Sequence, residues 1–512
     1  LARADTPPSV LIIATDSLRD DRLGVHGATH ADITPNIDAF AAGATDLRNM
    51  HVATASTLES WYTAFSGRFP PAHGVRWMYP DRARADAAAA APGLLPRMLS
   101  ARGWHTAVVS DWAGNGFQLI DQGFAHTLAS EPQTFRALML ETVIWSHPIF
   151  PLYFTNPLGE WLVPGVDRIT KYVRPAALTD RMLGEIDAAT RAGRPFFGLV
   201  FYSTTHLPYA ASYPYNLKYT DPAYRGPHRY EIEVKVHTLI HDGFAPDLPP
   251  ATIAHIRDLY DGAVSEFDAH VGRLLDGLKA RRLDDRTIVI ITTDHGEDLY
   301  DKGSTLGHGT NFFGGDQSTH IPFLIRGPGL PKAQRVDAIT RNVDLAPTLA
   351  GLLDVPPAPE WQGVDLGPLL RGEVADLNLL AFAETCYLFF PKRRMTGLTD
   401  AEKDQLVMVE GAGDTLVVDP TFDDNLILRP EKAAEVIAAK DRMVRTRRWK
   451  LIELPGRDGA IRRLYDLQND PKQTQNLAGQ GRAIERQLAE LLDRYWQGDA
   501  EDARWPAALE GD

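Results

Sequence analysis

Five short runs in this chain are almost uninterruptedly apolar and rich in β-branched or aromatic residues. They are Ser9–Thr15 (SVLIIAT), His105–Ser110 (HTAVVS), 195–203 (PFFGLVFYS), Thr287–Thr293 (TIVIITT) and 321–326 (IPFLIR). A strand with one wet face alternates apolar and polar positions, whereas a strand covered on both faces does not. Helical patterns fall between the runs, at 37–42, 58–65, 94–101, 180–191, 253–278 and 345–353. Strand–helix alternation of this kind predicts an α/β fold, a large mostly parallel sheet sandwiched by helices. The last hundred residues read differently. The segments 443–453 and 460–467 look like paired strands across a turn at 455–459, and an amphipathic helix follows at about 483–495. The expected division is an α/β domain over 1–400 and a small C-terminal α+β subdomain over 401–512. The alanine run 87–91 reads as a short surface link.

Composition narrows the chemistry. The net charge of −14 disfavours general nucleic-acid binding, which needs a basic footprint. Cys386 is the single cysteine, so no intramolecular disulfide and no thiolate metal site is expected; one thiol is left to test as a nucleophile. Any metal is then held by Asp, Glu and His, with Ser or Thr. The longest apolar stretch, 142–166, carries Pro148, Pro151, Pro157, Pro164 and Glu160, which argues against a spanning helix. The chain opens on Leu1 rather than Met, as expected of a processed or truncated product, and both extracytoplasmic and cytoplasmic placement are compatible with that. The aromatic, proline-rich piece 145–163 is a candidate lid or membrane-docking element; ordinary packing beneath a long loop is the simpler reading.

Sites in open α/β sheets form at the carboxyl ends of strands. The first strand ends at Asp16 and the fourth at Asp294-His295-Gly296-Glu297. Two acids and an imidazole are ligands for a divalent ion, although each alone reads as a helix cap or a core residue. Thr57 opens a helix at Ser56-Thr57-Leu58-Glu59-Ser60, where a hydroxyl meets unpaired N–H groups and the positive dipole end. That setting suits a nucleophile, and the same residues fit a capping box, Ser56 to Glu59. His206 follows the third run, and His308 lies in a Gly-His-Gly loop. Each suits contact with a phosphate or protonation of a leaving group, and each also reads as an ordinary loop histidine.

Taken in order, these segments resemble the sulfatase-type branch of the alkaline phosphatase superfamily. The likeness runs through LIIATDSLRDDRLGVHG and TPNIDAFAAGA, then FSGRFPPAHGV, THLPY with YTDPAYRGP, and the long helix ending in TIVIITTDHGE. It continues through RNVDLAPTLAGLLDV and RTRRWKLIELPG to LYDLQNDPKQTQNLA. In that family the nucleophile lies ten residues before the glycine of a Ser/Thr-Gly-Arg motif; that glycine is Gly67, so the position is Thr57. The resemblance implies Asp16, Thr57, Asp294 and His295 as ligands of one divalent metal, with Mn or Zn favoured and Mg or Ca compatible. It implies His206 as a substrate histidine, and His308 falls next to Gly307, the place of the family's lysine.

A threonine cannot become the formylglycine of true sulfatases. The resemblance therefore points to threonine-using relatives: phosphodiesterases and phosphoglycerol or phosphoethanolamine transferases. The expected function is phosphodiester hydrolysis through a phospho-threonine, on a small-molecule or lipid-linked phosphoester. The alternatives are the ectodomain of a membrane-linked transferase and a degenerate, non-catalytic relative. Three family pocket positions depart from pattern: the arginine is Trp61, the asparagine Met78 and the lysine Gly307, with Arg76 and Lys302 nearby in sequence.

Overall fold

The computed structural model describes residues 7–130, 158, 162, 174–232, 248–301, 304–386, 397–409 and 412–499. The segment 145–163, apart from Leu158 and Leu162, and Lys302 lie outside the described residues. Among the described residues, no helix is long and apolar enough to cross a membrane.

One eight-stranded sheet organises the chain. Its strands in chain order are β1 (Ser9–Thr15), β2 (Thr45–Leu47), β3 (His105–Ser110), β4 (His126–Leu128), β5 (Phe196–Tyr202), β6 (Thr287–Thr293), β7 (Leu324–Arg326) and β8 (Gln334–Val336). In space they run β8-β2-β7-β6-β1-β5-β3-β4. All neighbours are parallel except β7, which is antiparallel to both β2 and β6.

The apolar runs are buried on both faces, as their pattern predicts. Val10, Ile12 and Ala14 enter one core together with Phe197, Leu199, Phe201, Ile288 and Ile290. Leu11 and Ile13 enter the other with Phe196, Val200, Tyr202, Val289 and Ile291. The first core is closed by α2 (Thr57–Ser66), α3 (Leu95–Ala101) and α6 (Leu345–Leu352), the second by α1 (Pro35–Ala41), α4 (Pro175–Arg191) and α5 (Pro250–Ala280). Burying whole strands between two helical layers is the main stabilising term, at roughly 25 cal/mol per Å² of apolar surface.

Three local expectations are corrected. The run 321–326 is two strands, since Pro322 lacks an amide proton; His320–Ile321 joins a separate three-stranded sheet. The segment 443–453 is also two strands, β10 (Arg442–Arg445) and β11 (Trp449–Leu454). They reverse where Trp449 N–H donates to Thr446 Oγ1 at 2.8 Å, a turn without glycine or proline to announce it. The alanines at 87–89 are helical, because Asp81 caps Arg82–Ala89 by accepting from Arg84 N–H at 2.9 Å and alanine is the best helix former. The C-terminal four-stranded sheet takes its first strand, β9 (Ala381–Glu384), from sequence before position 400 and continues through β10, β11 and β12 (Ile461–Asp466). It packs against α7 (Ala483–Trp496) and is sewn to the large domain where Glu384 N–H donates to Ala53 O at 2.9 Å.

A buried imidazole ties the loop after β1 to β2. His26, its side chain 1% exposed, lies 2.7 Å from Asp20 and 3.1 Å from Asp46. Burial opposes its charge, but the two carboxylates raise its pKa to about 9. Folding therefore favours the proton. The stabilisation is complete below the ordinary value of 6.5 and is lost as pH rises through about 9. Chemical denaturation of the wild type is expected to lose a few kcal/mol across that window. His26→Gln should flatten this slope; an unchanged slope overturns the charged pairing.

Candidate active site

Four chain segments converge at the carboxyl ends of β1, β5 and β6. Asp16 directly follows β1, its N–H extending the sheet to Tyr202 O at 2.7 Å. Asp294 and His295 directly follow β6. Thr57 is the first residue of α2, and His206 lies four residues beyond β5. The helix is stopped at Gly67, which sits at φ 61° where a Cβ would press on Trp361 at 2.7 Å, so the glycine of the Ser-Gly-Arg motif has a steric reason. Gly296 has another: a Cβ there would collide with the Gln317 carbonyl.

Thr57 Oγ1 donates to Asp16 Oδ2 at 3.3 Å. The expected capping box does not form. Ser56 Oγ donates instead to Glu59 Oε2 at 2.6 Å, and no side chain caps the N–H groups of α2. Asp294 is held by three donors to Oδ1: Ser17 N–H at 3.2 Å, His295 N–H at 2.9 Å and Thr293 Oγ1 at 3.2 Å. Its Oδ2 is thereby aimed into the site.

Asp16, Asp294 and His295 are all buried, and one donor atom from each lies within 4.8 Å of the others. His295 Nδ1 is 2.9 Å from the Gly296 carbonyl, which can only accept, so Nδ1 carries the proton and Nε2 presents its lone pair. That Nε2 and Asp294 Oδ2 stand 3.3 Å apart, and neither has a hydrogen-bond partner. Two buried electron-rich atoms facing one another are costly. Burial, with Asp294 beside it, pushes Asp16 well above the carboxylate range; burial likewise raises Asp294; burial, then His308, holds His295 well below the ordinary histidine value. A cation between these atoms removes each penalty, so oxygen and nitrogen donors of this kind fit one divalent metal.

The histidines line the opening. The His308 ring is 4.1 Å from that of His295 and 5.4 Å from that of His206. His308 Nδ1 contacts Glu297 Oε2 at 3.3 Å. Burial opposes a charge on His308, but Glu297 and Asp294 raise its pKa above the ordinary value. Trp112 meets His206 edge-on at 4.8 Å. All six residues expected from sequence are thus brought together.

Several participants escaped the sequence reading. Ser17, at φ 64°, donates to Asp16 Oδ1 at 2.8 Å, and its carbonyl accepts from Tyr260 on α5 at 2.6 Å. A non-glycine residue held in this region stores strain of about 1–3 kcal/mol. Glu297 lies three residues after Asp294 in the DHGE segment, and Asp111-Trp112 directly follows β3 as Asp16 follows β1.

The altered pocket positions are also resolved. Trp61 points into the core against Phe65 and Phe201. Arg76 is bound to Glu384 through Nε–Oε1 at 3.0 Å and Nη2–Oε2 at 2.5 Å, so it is engaged in a buried ion pair. Cys386 is remote from the Gly-His-Gly loop in sequence yet beside it in space, its N–H donating to Gly309 O at 2.8 Å. Burial pushes its thiol up to about 12, which removes it as a thiolate nucleophile.

The chain resembles known proteins in sequence and in fold. The chain is 23% identical to an ulvan-active sulfatase of Formosa agariphila over 442 residues, covering 83% of this chain and 78% of that protein. A local match to arylsulfatase K of Gallus gallus is 32% identical over 124 residues, covering 24% of this chain and 22% of that protein. The fold superposes on a phosphonate monoester hydrolase from Silicibacter pomeroyi with a TM-score of 0.66 and 22% identity, covering 95% of this chain and 94% of that one. The sulfatase family model matches residues 8–355, and the chain belongs to the sulfatase family of metal-dependent ester hydrolases.

Proposed function

We propose that the protein hydrolyses phosphodiesters, small-molecule or lipid-linked, through a covalent intermediate on Thr57. The observation that carries this reading is the Thr57 hydroxyl itself. It sits at an uncapped helix N-terminus, 3.3 Å from Asp16 and facing the Asp16–Asp294–His295 cluster. Threonine is a secondary alcohol with one hydroxyl, so it can neither be oxidised to an aldehyde nor form the geminal diol that a formylglycine sulfatase uses. It acts by direct attack.

Asp16, Asp294, His295 and the Thr57 oxygen would hold a divalent cation; Mn or Zn is favoured and Mg or Ca is compatible. Bound there, such an ion lowers the pKa of the hydroxyl and offsets charge on the phosphoryl oxygens. Thr57 Oγ1 forms the new P–O bond as its proton passes toward Asp16. The bond to the leaving alcohol breaks in line, and His308 or His206 gives that alcohol its proton. Water then attacks phosphorus and frees Thr57, leaving a phosphomonoester. The N–H groups at the start of α2 favour the anion throughout.

A substrate panel tests the reading. Aryl phosphodiester, aryl phosphonate monoester, aryl phosphate and aryl sulfate are compared on metal-loaded protein. Fastest turnover is expected on the diester, with the sulfate at background; preference for the sulfate overturns it.

A further inference from the structure

We propose a second zinc site formed by His105, His126 and Glu185, at the end of the sheet opposite the active site. The strand register creates it. β3 and β4 are parallel, with Ala107 opposite His126, so His105 and His126 lie diagonally on one face of the sheet. That face is covered by α4, whose Leu178, Met182 and Ile186 pack on Val109 and Val200. Glu185, one turn beyond Met182 and beside Ile186, reaches the same spot.

The geometry is that of three ligands closing on one point. His105 Nε2 lies 2.7 Å and His126 Nδ1 2.8 Å from the same oxygen, Glu185 Oε2. The two rings are 4.5 Å apart at 70°, and the three donor atoms lie within 4.8 Å of one another. Among the described residues, no lysine or arginine is paired with this carboxylate. Two imidazoles and a carboxylate are a recurrent zinc donor set, with a solvent molecule as fourth ligand. His126 is about half exposed, which leaves room for that solvent. Tetrahedral zinc with bonds of about 2.0–2.2 Å spaces its ligands about 3.3 Å apart, so each imidazole–carboxylate distance opens by only about half an ångström. A comparable cluster, His30 with Asp258 and Asp261, lacks this character because Arg22 already neutralises Asp261 at 3.1 Å.

Zinc here would clip the last strand of the sheet to α4. The wild type is expected to bind one more Zn²⁺ per chain than His126→Ala in competition with a chromophoric chelator. Added Zn²⁺ should raise the thermal midpoint less in the variant than in the wild type. In the Asp294→Asn background, where the active-site ligand set is broken, Co²⁺ should give the visible absorption of a tetrahedral site. Adding Glu185→Gln should abolish that absorption. Equal zinc stoichiometry in wild type and His126→Ala overturns the site, and so does Co²⁺ absorption that survives Glu185→Gln.

Discussion

Thr57→Ala is expected to lower kcat/KM for an aryl phosphodiester by about 10⁴-fold or more, equivalent to about 5.5 kcal/mol of transition-state stabilisation. The substitution removes the attacking oxygen and little else. Thr57 is the first residue of α2, where alanine is well tolerated, and although it is buried like the rest of that helix, alanine removes only its hydroxyl and one methyl group. The one hydrogen bond lost is the 3.3 Å contact to Asp16, so stability should change by no more than about 1 kcal/mol. Three protein ligands still face the metal, and its content should persist. Thr57→Ser, which keeps a hydroxyl, should restore most of the activity. A Thr57→Ala protein that turns over diester at near wild-type rate would mean that water attacks directly and that Thr57 is only a ligand.

Much of this site could be read from sequence because its parts obey local rules. Continuous apolar runs fix strands buried on both faces, and such strands deliver their next residue to a common edge. That logic brings Asp16, Asp294 and His295 to one edge, and the family resemblance adds their reading as ligands. Thr57 follows from helix-start chemistry together with family spacing. What sequence hid depends on distant partners. Ser17 adopts φ 64° because Tyr260, far along the chain, holds its carbonyl. Arg76 looks like a spare pocket cation until Glu384 arrives from the C-terminal sheet. Cys386 looks remote until that same strand places it beside Gly309. The turn at 446–448 carries no turn residue, because a threonine hydroxyl stands in for the usual signal.

Removal of the Asp294 carboxylate should be nearly as damaging to catalysis as loss of the nucleophile, but for a different reason, and two variants separate the causes. Asp294→Ala deletes both the inward-facing Oδ2 and the acceptor Oδ1 that fixes Ser17, His295 and Thr293. Asp294→Asn keeps an acceptor for those donors while removing the charge. Both should lose one metal ion per chain relative to wild type, and both should fall by about 10³-fold or more in kcat/KM. In chelator, however, Asp294→Asn should be at least as stable as the wild type. The metal-free wild type packs Asp294 Oδ2 against the His295 Nε2 lone pair with no partner for either, a penalty that the uncharged amide relieves. Metal then reverses the order: at a hundredfold excess over Kd it should stabilise the wild type by about 2.7 kcal/mol through this site, and Asp294→Asn not at all. An Asp294→Asn protein that keeps wild-type metal content and the full metal-induced shift would overturn the ligand set, because the atom aimed most directly at the cation would then be dispensable.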